Sequence, residues 1–322
     1  MRISELDWST VPDSGVVVCI GRRKSGKTVN IIDIFHKKRN SFRTGVVFCG
    51  SKATIKEYEN HIPSSFIYDG YHSDVLGRIV DKQERDVERG VARPIFILVD
   101  DCMWEKKSIL GDANIRRIFM NGRHALIFFV LSMQYSMDLH PSLRQQIDFV
   151  LLSREKNPHY REKLYNNYNV CFKTAEQFDK CMMQCTLNFE TFVLSSAGDT
   201  QSDSPEDNVY WYKSKYVPGG RKFKVNKSGT WWRYHYKRFD PDFFIAADDS
   251  AMTTTSSKKG GTVVTKTRLQ PAAAHRIETA APAITHTPLG MQWIQEQRVQ
   301  NLGARVGLGS GVKVVDATAK YV

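Results

Sequence analysis

No stretch of this sequence is apolar for long enough to cross a membrane. The longest strongly apolar run, residues 125–131, ends after seven residues, against the roughly 20 that a spanning helix requires, so no membrane insertion is expected. Residues 1–12 carry the acids Glu5 and Asp7 where a leader would carry an apolar core, so no secretory signal is expected there. Cysteine is scarce, six in 322 residues. That excludes a disulfide framework, and because three of the six fall inside or beside apolar strand-like segments they read as small buried thiols of a reducing compartment. Cys181 and Cys185 have the spacing of half a metal site, but no second pair follows and the structural reading is preferred. Acid is also in deficit: 34 Asp and Glu face 46 Lys and Arg, a formal net charge of +12 with a pI of about 9.4. The field of such a chain attracts polyanions, nucleic acid first among them.

What the sequence does contain is alternation. Apolar segments at 16–20, 46–49, 95–99, 126–131, 147–152 and 189–194 are mostly continuous, as in short strands covered on both faces. Between them lie segments with helical pattern at 28–38, 73–89, 113–121, 141–146, 158–168 and 174–185, the last opened by Thr174 as a cap. This order predicts an α/β fold with a mainly parallel central sheet flanked by helices.

Gly21-Arg22-Arg23-Lys24-Ser25-Gly26-Lys27-Thr28 matches G-x-x-x-x-G-K-[ST] without a mismatch. A strand leads into it and a helix leads out, the context that makes this pattern a phosphate-binding P-loop. Gly21 and Gly26 permit turns that aim successive amides at one point, with Lys24 and Ser25 lining the nest and the helix N-terminus adding its partial positive charge. Lys27 is expected to reach the β- and γ-phosphates and Thr28 to hold Mg²⁺. The strand at 95–99 ends in Asp100-Asp101, an apolar strand followed by acid. Asp100 is the expected metal partner and Asp101 the candidate base that orients an attacking water. Gln134, just past the strand at 126–131, is a candidate sensor of the γ-phosphate, since its amide both donates and accepts. Arg123 and then Arg144 are candidates for a guanidinium donated to a neighbouring subunit's site.

These residues together, the P-loop, Asp100-Asp101, Gly122-Arg123-His124, and Gln134 followed by Leu143-Arg144, resemble the FtsK/HerA superfamily, and within it the genome-packaging ATPases of large double-stranded DNA viruses of the poxvirus and iridovirus type. The similarity covers roughly residues 10–200. Many members carry Glu where this chain has Asp101. The resemblance implies a homo-oligomeric ring that hydrolyses ATP, threads double-stranded DNA into a capsid through a capsid or portal partner, and works in the host-cell cytoplasm or viral factory or on the virion. Two other functions fit less well: a cellular HerA-like DNA pump or helicase, and a nucleotide-binding switch or scaffold without sustained turnover.

Residues 1–200 are expected to form the ATPase core and 201–240 a basic, aromatic-rich β appendage that completes it. From 208 to 239 there is no acid, while Lys213, Lys215, Arg221, Lys222, Lys224, Lys227, Arg233, Lys237 and Arg238 alternate with aromatics, a composition suited to sequence-blind contact with phosphates. Turn signals at 217–220 and 226–229 suggest a hairpin there. Residues 241–322, rich in Thr, Ser, Ala and Gly, are expected to be a mostly disordered tail, with one short helical pattern at 291–302.

Overall fold

The computed structural model describes residues 2–102, 106–135, 139–197, 204–220 and 222–238, together with the strand segments 253–259 and 262–268. By contacts the chain divides into two units, Met1–Lys237 and Arg238–Val322.

The first unit is built on a nine-stranded sheet: β1 (Ser4–Glu5), β2 (Gly15–Ile20), β3 (Thr44–Cys49), β4 (Ile67–Asp69), β5 (Ile95–Asp100), β6 (Ile127–Met133), β7 (Phe149–Leu152), β8 (Thr191–Ser195) and β9 (Val209–Tyr212), in the spatial order β1-β9-β8-β7-β2-β6-β5-β3-β4. From β7 to β4 every pairing is parallel, whereas β8 is antiparallel to both β7 and β9. The continuous apolar runs are explained by this placement: every residue of β2, β5 and β6 is buried, because helices cover both faces of the parallel part.

Those helices are α1 (Lys27–Lys37), α2 (Lys52–Glu59), α3 (Ser73–Glu88), α4 (Lys106–Gly111), α5 (Ala113–Asn121), α6 (Pro141–Arg144), α7 (Pro158–Tyr168), α8 (Ala175–Gln184), α9 (Pro205–Asn208) and α10 (Thr230–Arg238). Local chemistry sets several of their starts. Thr174 accepts from the Gln177 amide and Asn157 from the His159 amide, the latter with Pro158 in the first turn, as N-caps and N-terminal prolines do. On one face of the sheet the rings of Phe35, Phe42, Phe96 and Phe128 meet at centroid distances of 4.5 to 6.4 Å, which fixes the P-loop helix α1 against β5 and β6.

The strand inserted between the P-loop strand β2 and the acid-bearing strand β5 is β6; the segment around 46–49 lies beyond β5. All three therefore end at the same edge, and their last residues are brought together.

One expectation is corrected. Residues 201–240 are not a β appendage. Val209–Tyr212 is a strand of the main sheet, and Thr230–Arg238 is a helix. Turns do occur at the predicted places, with Gly219 at φ 73° and Asn226 at φ 41°, but the flanking residues do not pair as a hairpin. The reason lies in the spacing of the aromatics: Trp231, Trp232, His235 and Tyr236 recur at a helical interval, and both tryptophans are buried, Trp231 against Phe66 and Phe96. In the second unit, within the stretch expected to be a mostly disordered tail, β10 (Thr253–Lys259) pairs antiparallel with β11 (Thr262–Arg268). The helical pattern at 291–302 lies outside the described residues.

Candidate nucleotide site

The phosphate loop lies between the end of β2 and the start of α1, at the carboxyl edge of the parallel strands, where ligands bind in open α/β sheets. Gly26 at φ 90° and Lys24 at φ 62° hold left-handed conformations that turn the loop's amides inward. Gly21 is held closely. Its amide donates to the Met133 carbonyl at 3.1 Å, and a Cβ there would lie 2.6 Å from the hydroxyls of both Ser25 and Ser153. The first turn of α1 carries no acid of its own, which leaves the positive end of its dipole available to an anion.

Lys27 is folded back on this loop, donating to the carbonyls of Gly21 at 2.7 Å and Arg22 at 3.0 Å. Burial lowers its pKa from the ordinary lysine value, with Asp100 acting in the opposite sense. Arg22 pairs with Glu155 at 3.0 Å, and Ser25 bonds Ser153 at 3.1 Å. The loop is thus braced from the end of β7.

Opposite Lys27 lies the end of β5. Thr28 donates its hydroxyl to Oδ2 of Asp100 at 3.0 Å, and the Tyr58 phenol donates to the same oxygen at 2.8 Å. Asp100 is 2% exposed. Asp101 is exposed and sits at φ 54°, a left-handed position that carries the chain off the strand. The neighbouring thiols cannot compete for a cation: burial pushes Cys19 and Cys49 up to about 12, so both remain neutral.

The donor set of Thr28 and Asp100, one hydroxyl and one buried carboxylate, suits a hard divalent cation such as Mg²⁺. No cluster of three or more His, Cys, Asp or Glu that could hold a metal alone occurs among the described residues. A cation at Thr28 and Asp100 therefore relies on nucleotide oxygens and water for the rest of its shell, as Mg²⁺ commonly does.

Gln134 follows Met133, whose strand register sets it beside Ile20. It lines a cavity of about 420 Å³ that also touches Gly21, Arg22, Arg23, Tyr135, Glu155 and Tyr160. Sequence reasoning missed Tyr58, Ser153, Glu155 and Tyr160. For Ser153 and Glu155 a signal existed, since they directly follow a predicted strand that borders β2.

The two candidate arginines lie elsewhere. Arg123 precedes β6, at the amino edge of the parallel strands, about 20 Å from the loop by the length of a six-residue strand. There it pairs with Asp148, which also accepts the Val16 amide at 2.6 Å. A buried carboxylate thus pairs with Arg123, whose own side chain remains more than half exposed. Arg144 donates to the Leu139 carbonyl at 2.9 Å and to the Asn167 side chain, and lies over the Tyr168 ring.

Of the basic candidates, Lys213, Lys215, Lys222, Lys227, Arg233 and Lys237 are exposed and Lys224 and Arg238 half-buried; Arg221 lies outside the described residues. Lys213 stands 3.8 Å from Glu190. Lys224 stands over the rings of Trp232 and Tyr236 at 4.5 and 4.9 Å. Cys181 and Cys185 are free thiols near the end of α8, and among the described residues neither belongs to a cluster that could hold a metal ion. No helix of the described residues is long and apolar enough to cross a membrane.

Comparison with known proteins places this site in a lineage. The chain is 32% identical over 223 residues to the uncharacterized protein 015R of Frog virus 3, covering 67% of this chain and 68% of that one. It is 30% identical over 235 residues to the uncharacterized protein L437 of Acanthamoeba polyphaga mimivirus, covering 69% and 82%. This chain belongs to their family. The family is thus carried by large DNA viruses, and in this member the fold is that of a P-loop NTPase. No family model matches the chain. Among solved structures it is similar to the genome packaging NTPase B204 from Sulfolobus turreted icosahedral virus 2 in complex with ATP-gammaS, at 15% identity, TM-score 0.45, and coverage of 64% of this chain and 100% of that one. It is also similar to the cytoplasmic domain of the Thermomonospora curvata Type VII secretion ATPase EccC, at 12% identity, TM-score 0.43, and coverage of 66% and 26%.

Proposed function

We propose that this family member is an ATP-hydrolysing translocase that drives viral double-stranded DNA into a capsid. The observation that carries the reading is the 3.0 Å contact of Thr28 with Asp100, which joins the P-loop to the tip of a strand two places away in the sheet.

In this reading the nest of Lys24, Ser25, Gly26 and Lys27 takes up the phosphate chain. Lys27 exchanges its two loop carbonyls for β- and γ-phosphate oxygens, a change favoured because a charge-assisted bond to phosphate is stronger than one to a neutral carbonyl. Mg²⁺, when held by Thr28 and Asp100, supplies charge neutralisation between the phosphates. Asp101, exposed and turned off the strand, accepts a proton from water as it attacks, and Gln134 reports the γ-phosphate's departure from the end of β6. Hydrolysis in a ring further calls for a guanidinium from the neighbouring subunit. That role falls to Arg144 ahead of Arg123, because the partners of Arg144 are neutral, whereas release of Arg123 strands a buried carboxylate. The exposed bases from Lys213 to Arg233 meet the DNA backbone without reading sequence. The remaining partner is a capsid or portal protein.

The test is ATP turnover by the full chain with and without duplex DNA, beside Lys27→Ala. Stimulation by DNA and loss of turnover in the variant are expected. Absence of stimulation argues against a translocase and for a switch, and retained turnover in Lys27→Ala removes the assigned site.

A further inference from the structure

We infer that Tyr58 is a positioning residue for the metal-binding carboxylate: its phenol and the Thr28 hydroxyl together fix which oxygen of Asp100 faces the nucleotide's cation. The inference rests on the reading of Thr28 and Asp100 as the Mg²⁺ site.

Tyr58 comes from α2, an element that belongs to neither nucleotide motif and follows β3 at the carboxyl edge of the sheet. The side chain is completely buried within the core that also holds Cys19 and Cys49. Its hydroxyl ends 2.8 Å from Oδ2 of Asp100, the oxygen that also accepts from Thr28. A phenol carries its proton at neutral pH, so it donates to that oxygen.

Two donors on Oδ2 lock the rotation of the carboxyl about its last bond, and Oδ1 takes no part in that pair. A cation held there would take a lone pair of the Thr28 hydroxyl, whose proton can stay on Oδ2, and Tyr58 would hold the same oxygen as the second donor. A carboxylate that is already oriented loses less freedom when it binds, which is how preorganisation raises affinity. Satisfaction of a buried phenol alone would make no such demand, because any nearby carbonyl serves that purpose.

The experiment compares full-length wild type with Tyr58→Phe, which keeps the ring and deletes only the hydroxyl. Binding of a fluorescent ATP analogue is followed in EDTA and across a Mg²⁺ titration, with turnover measured in parallel. Expected are EDTA affinity within about twofold of wild type and a Mg²⁺ half-saturation raised about tenfold, the size of one bond to a charged acceptor. In an Asp100→Asn background the same substitution is expected to leave the Mg²⁺ titration unchanged, since the positioned charge is gone. An unaltered Mg²⁺ titration in Tyr58→Phe overturns the inference while leaving the proposed ATPase intact. Equal losses in EDTA and in Mg²⁺, or an undiminished effect in the Asp100→Asn background, overturn it too, as they show a packing role. If wild type itself binds nucleotide without regard to Mg²⁺, the reading of Thr28 and Asp100 fails and the inference falls with it.

Discussion

Removing Arg123 separates its two possible roles, because they affect different quantities. Its partner Asp148 is 3% exposed and Arg123 itself 58%, and Asp148 also binds the Val16 amide at the start of the P-loop strand. Stripping a fully buried carboxylate of its cation costs about 3 to 5 kcal/mol, whereas an exposed pair contributes about 0 to 1 kcal/mol. With one partner in water, Arg123→Ala should cost about 1 to 3 kcal/mol, and at about 2 to 4 °C per kcal/mol for a body of this size the transition should fall by about 2 to 12 °C. Asp148→Asn deletes the charge but keeps an acceptor for Val16. In that background Arg123→Ala should cost no more than about 0.5 kcal/mol, so the double-mutant cycle should show a coupling of about 0.5 to 3 kcal/mol. Thermal unfolding by circular dichroism measures all four proteins, and ATP turnover below the transition should stay within a few-fold of wild type. The reasoning is refuted if Arg123→Ala melts like wild type while turnover falls by about 10³, for that is the signature of a guanidinium acting in a neighbour's site.

The complementary substitution, Arg144→Ala, should lower turnover by about 10³ with nucleotide affinity preserved; unchanged turnover would remove Arg144 from the mechanism. For the basic surface, Lys222→Ala, Lys227→Ala and Arg233→Ala should each reduce the log–log salt slope of duplex-DNA affinity by about 0.9, uniformly across sequences, and a slope that stays put exempts that residue. Stability should also respond to acid. Burial lowers the pKa of His61 below the ordinary 6.5, against the raising effects of its bond to the Phe223 carbonyl and of Glu57, and His235 is lowered for the same first reason. Native protein thus binds fewer protons than unfolded chain: the stability these groups contribute is full above pH 6.5 and is lost as pH falls through their folded values. Melting temperatures from pH 8 to 5 should drop on the acid side, and less so in His61→Asn, which is less stable at pH 8.

Much of the core was readable because a doubly covered parallel strand has a distinctive composition. The runs that became β2, β5 and β6 are apolar throughout, and the P-loop and Asp100-Asp101 sit where those runs stop, so strand tips and chemistry could be located together. Helices with caps, such as those behind Thr174 and Asn157, were placed to within a residue or two. What could not be read depended on long-range packing. Tyr58 is one aromatic on a short helix, and nothing near it in sequence points to a carboxylate 42 positions away. The segment around Trp231 looked strand-like because its turns were correctly recognised, but turns show only where a chain bends. Burial of Trp231 and Trp232 against the phenylalanine face then decided for helix, an outcome set by tertiary contact rather than local propensity. The pairing of Arg123 with Asp148 was unreadable for a related reason, since the two lie 25 positions apart and meet only through the sheet.

The same distance from local pattern applies to how the basic segment joins the nucleotide site. Directly after β9, over the stretch that carries the exposed Lys213 and Lys215, the chain is fastened to α1 and α2. Asp33, buried on α1, accepts from the Tyr212 phenol and from the Lys215 amide, the latter at 3.0 Å, and the Ser214 hydroxyl donates to the Val29 carbonyl at 3.3 Å. One residue further on, Tyr216 donates to Glu57 on α2 and contacts His61 at 3.1 Å. Helix α1 begins with Lys27 and Thr28, and α2 carries Tyr58. Bonds to buried carboxylates are among the strongest side-chain contacts available, and breaking one leaves an unpartnered charge. Residues 212–216 are in this way fastened to α1 through Asp33 and Val29 and to α2 through Glu57, so a displacement of this segment is opposed at both helices.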